Sequence, residues 1–171
     1  SMVLTRMVSG FGAEAIATQR VGGQIESVSW NTADGFGAAL NAFIGQNYGA
    51  GKMDRVKKGY RASLITVGVW GLFITLLFVC FPEQISGVFF HEPTAIATAV
   101  GYMIIIGYSE AFMSVELMTV GALSGLGKTH LCSVISITLT SARIPLAILL
   151  SGTALGLLGI WWALTATSVV K

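Results

Sequence analysis

Charge is missing from this chain over stretches as long as a membrane is thick. No Asp, Glu, Lys, Arg or His lies from Ala62 through Pro82, only His130 interrupts the run from Thr129 through Ala142, and none lies from Ile144 through Val170. A water-soluble domain needs a charged surface that such stretches do not supply, so they read as segments lying inside a bilayer. Between them sits one compact basic segment, Gly51-Lys52-Met53-Asp54-Arg55-Val56-Lys57-Lys58-Gly59-Tyr60-Arg61. The fold class this predicts is an all-α polytopic membrane protein.

Composition agrees. Only 11% of the 171 residues are charged and 54% are hydrophobic, against roughly a quarter charged in soluble domains. The basic residues occupy one short loop rather than a broad face, which argues against nucleic acid. Cys80 and Cys132 sit in apolar runs without metal-ligand spacing, so neither a disulfide nor a zinc site is expected. His91 and His130 lie in no ligand cluster, and nothing suggests an enzyme. The first twelve residues read as the tail of a preceding element rather than a cleavable leader, because Arg6 breaks a short apolar run and Glu14 and Arg20 follow. We therefore expect a fragment.

Four apolar segments are predicted to cross most or all of the membrane: Ser63 to Phe81, Thr94 to Leu126, Leu131 to Leu150, and Gly152 to Val170. Ala13 to Tyr48 is more polar, with Arg20, Gln24, Glu26, Asn31 and Asp34, but it holds no proline. It reads as one long helix, or as two pieces broken near Thr32 to Gly37, with its polar residues turned to a protein interior or a hydrated cavity. A solvent-exposed amphipathic helix is the alternative. If the basic segment is cytoplasmic, Pro82 to Pro93 is an external connection and Gly125 to His130 is cytoplasmic again, in agreement with Lys128 and Lys171.

Glu110 and Glu116 fall inside an otherwise apolar span, where a carboxylate is costly unless hydrated, paired or protonated. Tyr102, Ser109 and Glu116 recur at sevens and so share roughly one helical face, which favours Glu116 over Glu110 as a cavity-facing coupling residue. Glu26 is the matching candidate in the first helix. Trp30 lies one turn on and offers an aromatic face to a cationic or planar ligand, and Asp34 follows one turn later. For each of these acids the competing reading is a structural hydrogen bond between packed helices. Arg143, just before Ile144-Pro145, reads as structural in preference to substrate-binding. Glycines at 35, 37, 45, 121, 125, 127, 152, 156 and 159 permit close helix approach or bending, Gly152 and Gly156 forming a small-xxx-small pair. Ser124-Gly125-Leu126-Gly127-Lys128-Thr129 mimics the end of a phosphate-binding loop, but Ala122 stands where the first glycine is required. It reads as a turn.

The run Ala38-Ala39-Leu40-Asn41-Ala42-Phe43-Ile44-Gly45-Gln46-Asn47-Tyr48-Gly49-Ala50-Gly51-Lys52, with Arg55 after it, resembles the multidrug and toxic compound extrusion (MATE) family of secondary transporters. That family typically has a Gly-Gln-Asn-x-Gly-Ala-Gly stretch where the second helix of each lobe reaches the cytoplasm. Gly12-Ala13-Glu14-Ala15-Ile16-Ala17 is similar to its entry to that helix, and Gly121-Ala122-Leu123-Ser124-Gly125-Leu126-Gly127 to the end of the lobe's fourth helix.

The resemblance implies a cation-coupled antiporter that exports amphipathic or cationic organic compounds from a multi-pass position in a cell membrane, expected to be a prokaryotic inner membrane. The fold implied is twelve helices in two six-helix lobes. On this reading residues 1–171 are a partial C-terminal lobe, with a remnant of the helix-seven connection at 1–11 followed by helices eight to twelve. Its partners are the missing N-terminal lobe, most or all of helix seven, the lipid bilayer and a small organic substrate. The coupling ion is a proton or sodium, with no other cofactor and no metal. Gly45, Gln46, Asn47, Gly49, Gly51, Gly121, Gly125, Arg143 and Pro145 are expected to serve packing or conformational change. Some relatives place an aspartate where Met113 stands and a proline near Thr32, and this chain has neither. The competing reading is a structural membrane bundle or a fragment with no activity alone.

Overall fold

The computed structural model describes residues 6, 8, 10, 12–152 and 156–170. Among them are six helices: α1 (Ala13–Gly49), α2 (Met53–Cys80), α3 (Pro82–Phe89), α4 (Pro93–Gly125), α5 (Thr129–Ser151) and α6 (Leu157–Val170). The predicted helix-seven remnant and Lys171 lie almost wholly outside the described residues. Three helices, α2, α4 and α5, are long and apolar enough to cross a membrane. α1 has the length, at 37 residues, but carries the polar positions noted above.

The possible break near Thr32 to Gly37 does not occur: α1 runs unbroken. Without a proline nothing removes a backbone donor there, and Thr32 returns its hydroxyl to the Val28 carbonyl at 2.8 Å, within the helix. The expected span from Gly152 to Val170 is shorter than predicted, because α6 begins only at Leu157 and has 14 residues, about 21 Å of rise. Gly152 caps α5 and Gly156 has φ 50°, so they flank a connection and form no packing pair on one helix face. The connection from Pro82 to Pro93 holds a further short helix, α3. Pro82 opens it in the first turn, where a missing N–H is harmless, and Pro93 opens α4 in the same way after Glu92.

α4 is the axis of the bundle, packing on α1, α2, α3 and α6 and more lightly on α5, while α5 leans chiefly on α6. The crossing of α1 and α4 is backbone against backbone: a Cβ on Gly121 would collide with the Gly37 carbonyl, and one on Gly125 would come within 2.7 Å of the Asn41 carbonyl. Absent side chains let the helices approach this closely where lipid offers no hydrophobic drive to association. Around the crossing Ala33, Leu40, Ile44, Val56, Val67, Met118 and Ala122 form one core. Side-chain hydroxyls add cross-links, Thr75 to the Gly107 carbonyl and Thr165 to the Ile105 carbonyl, each at 2.9 Å. The outer faces are aliphatic: Ile65, Val69, Leu72 and Leu76 on α2 and Val134, Ile137 and Leu149 on α5 are all exposed. Such faces suit lipid rather than water.

The Gly-Gln-Asn-Tyr-Gly-Ala-Gly-Lys stretch ends α1. Lys52 N–H donates to the Asn47 carbonyl at 2.8 Å and Gly51 N–H to the Tyr48 carbonyl at 2.9 Å, with Gly51 at φ 71°. This pairing is a Schellman motif, and only glycine takes the left-handed position without strain. α4 ends identically, with Lys128 N–H on the Leu123 carbonyl, Gly127 N–H on the Ser124 carbonyl, both at 2.9 Å, and Gly127 at φ 76°. The phosphate-loop look-alike is therefore a helix cap.

Candidate functional site: a polar cavity between four helices

On α1, Gln19, Gly23, Glu26 and Trp30 advance by four, three and four residues, and so lie along one stripe. That stripe faces one on α4 carrying Tyr102, Ile106, Ser109, Met113, Glu116 and Leu117. Arg143 of α5 and Leu164 and Ser168 of α6 close a cavity of about 410 Å³ between them. The repeat of seven through Tyr102, Ser109 and Glu116 thus does set all three on one wall. Two acids, one cation, a phenol and hydroxyls meet there inside a bundle whose outer faces are apolar.

Tyr102 is buried and donates to Glu26 Oε2 at 3.1 Å. Gly22 makes that reach possible, since a Cβ on it would overlap the tyrosine ring. Trp161 of α6 holds the other side of the ring edge-on, with centroids 5.1 Å apart. Ser109 is buried and returns its hydroxyl to the Ile106 carbonyl at 2.8 Å.

Arg143, read from the sequence as structural in preference to substrate-binding, lines the cavity and is bonded to α6. Its Nε donates to Thr167 Oγ1 at 2.9 Å and a terminal nitrogen to Ser168 Oγ at 3.1 Å, and its charge interacts with those of Glu116 and Glu26. The guanidinium is tethered to α6 and faces two acids. α5 continues as a helix through Pro145. Glu116 also borders a second, mostly apolar cavity of about 200 Å³ between α4, α5 and α6, so it stands in the wall separating the two.

Glu110 does not line the polar cavity. It is 2% exposed, accepts a hydrogen bond from Ser29 of α1 at 2.7 Å through Oε2, and leaves Oε1 without a partner. Its charge and that of Glu26 interact. Asp34 is exposed and lies outside the cavity, and the adjoining Gly35 makes no local cap because the helix continues through both. Trp30 lines the cavity with 43% of its surface exposed. A Cβ on Gly45 would lie an ordinary 3.6 Å from the Gly125 carbonyl, while one on Gly49 would meet nothing within 4 Å. Among the described residues no group of three or more His, Cys, Asp and Glu is placed to hold a metal ion.

Residues missed by the sequence reading are Gln19 and Gly23, which the helical spacing from Glu26 would have found. Ser29, Thr167 and Ser168 had no such signal, because each matters through a partner on another helix.

The fold matches solved transporters. Over 99% of the chain it superposes on 38% of the protein in "Crystal structure of MATE in complex with MaL6" with a TM-score of 0.92 at 19% identity. The chain is 30% identical over 162 residues to the probable multidrug resistance protein NorM of Thermotoga maritima, spanning 94% of this chain and 35% of that protein. It is 29% identical over 172 residues to the probable multidrug resistance protein YoeA of Bacillus subtilis, spanning 96% of this chain and 36% of that one. It thus spans about a third of the length of these curated relatives. The MatE family model matches residues 1–149, and the chain belongs to that family of membrane transporters.

Proposed function

We infer that this chain is part of the C-terminal lobe, helices eight to twelve, of a cation-coupled antiporter that exports amphipathic or cationic organic compounds. The observation that carries the reading is the meeting of Glu26, Glu116 and Arg143 in one cavity walled by Tyr102, Ser109 and Trp30. Membrane-embedded acids that face a cavity are suited to taking up a proton or sodium ion, and the aromatic wall suits an organic cation. Glu116 and Glu26 are the coupling candidates. Glu110 is a secondary one, since its bond to Ser29 favours a packing role. In the complete protein an N-terminal lobe and helix seven close the site, and alternating access exchanges inward ion flow for outward substrate. The basic end of the bundle is cytoplasmic, and the membrane is a prokaryotic inner membrane.

The test is efflux by the full-length parent in energised vesicles, comparing wild type with Glu116→Gln and Glu26→Gln at equal abundance while proton and sodium gradients are collapsed separately. Gradient-driven efflux lost in either variant supports the reading and names the ion. Full coupled efflux in both would make these acids structural.

A further inference from the structure

Arg143 is held in the polar cavity by groups that do not cancel its charge. Its Nε donates to Thr167 Oγ1 at 2.9 Å and a terminal nitrogen to Ser168 Oγ at 3.1 Å, and both of these acceptors are neutral hydroxyls of α6. Thr167 passes its own hydrogen to the Ala163 carbonyl at 2.7 Å, which leaves its lone pairs for the guanidinium. The fork is thus fixed in place but not neutralised, and a guanidinium keeps its charge even when half-buried.

The acids it faces come from other helices. Glu26 stands on α1 and Glu116 on α4, while Arg143 and Ser168 come from α5 and α6, and all four line the same space of about 410 Å³. The charge of Arg143 is attracted by both carboxylates. Glu110, closed on Ser29, lies outside this space and interacts with Glu26 by charge. An ion pair that served packing alone would draw its charges together and close the gap. Here room for a hydrated ion or a compact organic cation remains among the two acids and the arginine.

We propose that Arg143 is a resident cation that competes with the transported cation for Glu26 and Glu116, lowering the affinity of the cavity so that cargo can leave. Two carboxylates in the low effective dielectric of a bundle interior hold a cation strongly and release it slowly. With the guanidinium anchored beside them, an entering cation meets a like charge, and when it departs the acids keep an opposing one. Arg143 is in this sense a positioning residue: it acts through the two acids and sets affinity and release rate by charge. The inference rests on the reading of this cavity as a cation site.

The test is equilibrium binding and dissociation of tetraethylammonium, a compact and permanently charged probe, on the purified full-length parent. Two ligands coupled through one protein ordinarily change each other's affinity by about 5- to 150-fold. Arg143→Gln should therefore bind the probe at least about fivefold more tightly than wild type and release it correspondingly more slowly. Arg143→Lys restores the charge without the fork and should bring affinity back toward wild type. The same comparison in the Glu116→Gln background covers a single variant that does not fold: R143Q/E116Q should bind more tightly than E116Q, because Glu26 remains. Unchanged or weaker binding on loss of the arginine, with the transporter folded, overturns the proposal and leaves the cation site standing. So does Arg143→Lys matching Arg143→Gln, which would make the effect one of shape rather than charge. A folded wild type that binds no tetraethylammonium would overturn the cation-site reading and this inference together.

Discussion

Tyr102 of α4 donates its phenolic hydrogen to Glu26 Oε2 of α1 across 3.1 Å, tying the two helices that form most of the polar cavity. Tyr102→Phe keeps the ring against Gly22 and Trp161 and removes only the donor. It should lower stability by only about 1 kcal/mol, while changing ion-dependent efflux by the full-length protein several-fold, read from initial rates at matched abundance. Unaltered rates would reduce the bond to a packing contact.

Arg143 and Glu116 should be energetically coupled. Losing the guanidinium removes its bonds to Thr167 and Ser168 and leaves Glu116 and Glu26 without that opposing charge. A double-mutant cycle with Arg143→Gln and Glu116→Gln should give a coupling of about 1 kcal/mol or more in thermal stability. Additive effects would show that the two charges act apart.

The contact between Gly121 and Gly37 leaves no space for a methyl group. Gly121→Ala should destabilise the purified protein by about 1 to 3 kcal/mol, the usual range for overpacking, whereas Gly35→Ala, with nothing within 4 Å, should be close to neutral. Similar melting temperatures for the two would contradict the close crossing.

At Gly51 and Gly127 the limit is backbone conformation rather than space, since neither has an atom within 4 Å of an added Cβ. Alanine at either should cost about 1 to 2 kcal/mol through the left-handed φ alone. Gly49→Ala, within α1 and equally open, should be neutral or stabilising by about 0.5 to 1 kcal/mol. A denaturation series across the three separates strain from crowding.

Ser29→Ala would strip Glu110 Oε2 of its donor while Oε1 already has none. The loss should be about 1 to 2 kcal/mol, because a buried acceptor is orphaned. It should appear as lower abundance, with specific efflux per molecule retained. The reverse pattern would move Glu110 from packing to transport.

The helix inventory was legible because charge and proline are local facts. A predominantly apolar run of membrane length has few stable forms, and α2, α4 and α5 follow from that. The turn at Gly127 was legible too, and so was the α4 wall, since a repeat of seven sets Tyr102, Ser109 and Glu116 on one face wherever the helix packs. What spacing along one helix leaves open is which other helix meets that face. Spacing along α4 set Glu116 apart from Glu110, but that Glu110 closes on Ser29 while Glu116 opens to a cavity was decided by α1 crossing α4 at Gly37 and Gly121. Arg143 joins the acids only because α5 folds back on α6 and offers it Thr167 and Ser168. Asp34 stays outside although its residue type is right. Helical period determines the angle of each side chain about its own axis. The partner at that angle is set by helix packing, which depends on contacts between residues far apart in the chain.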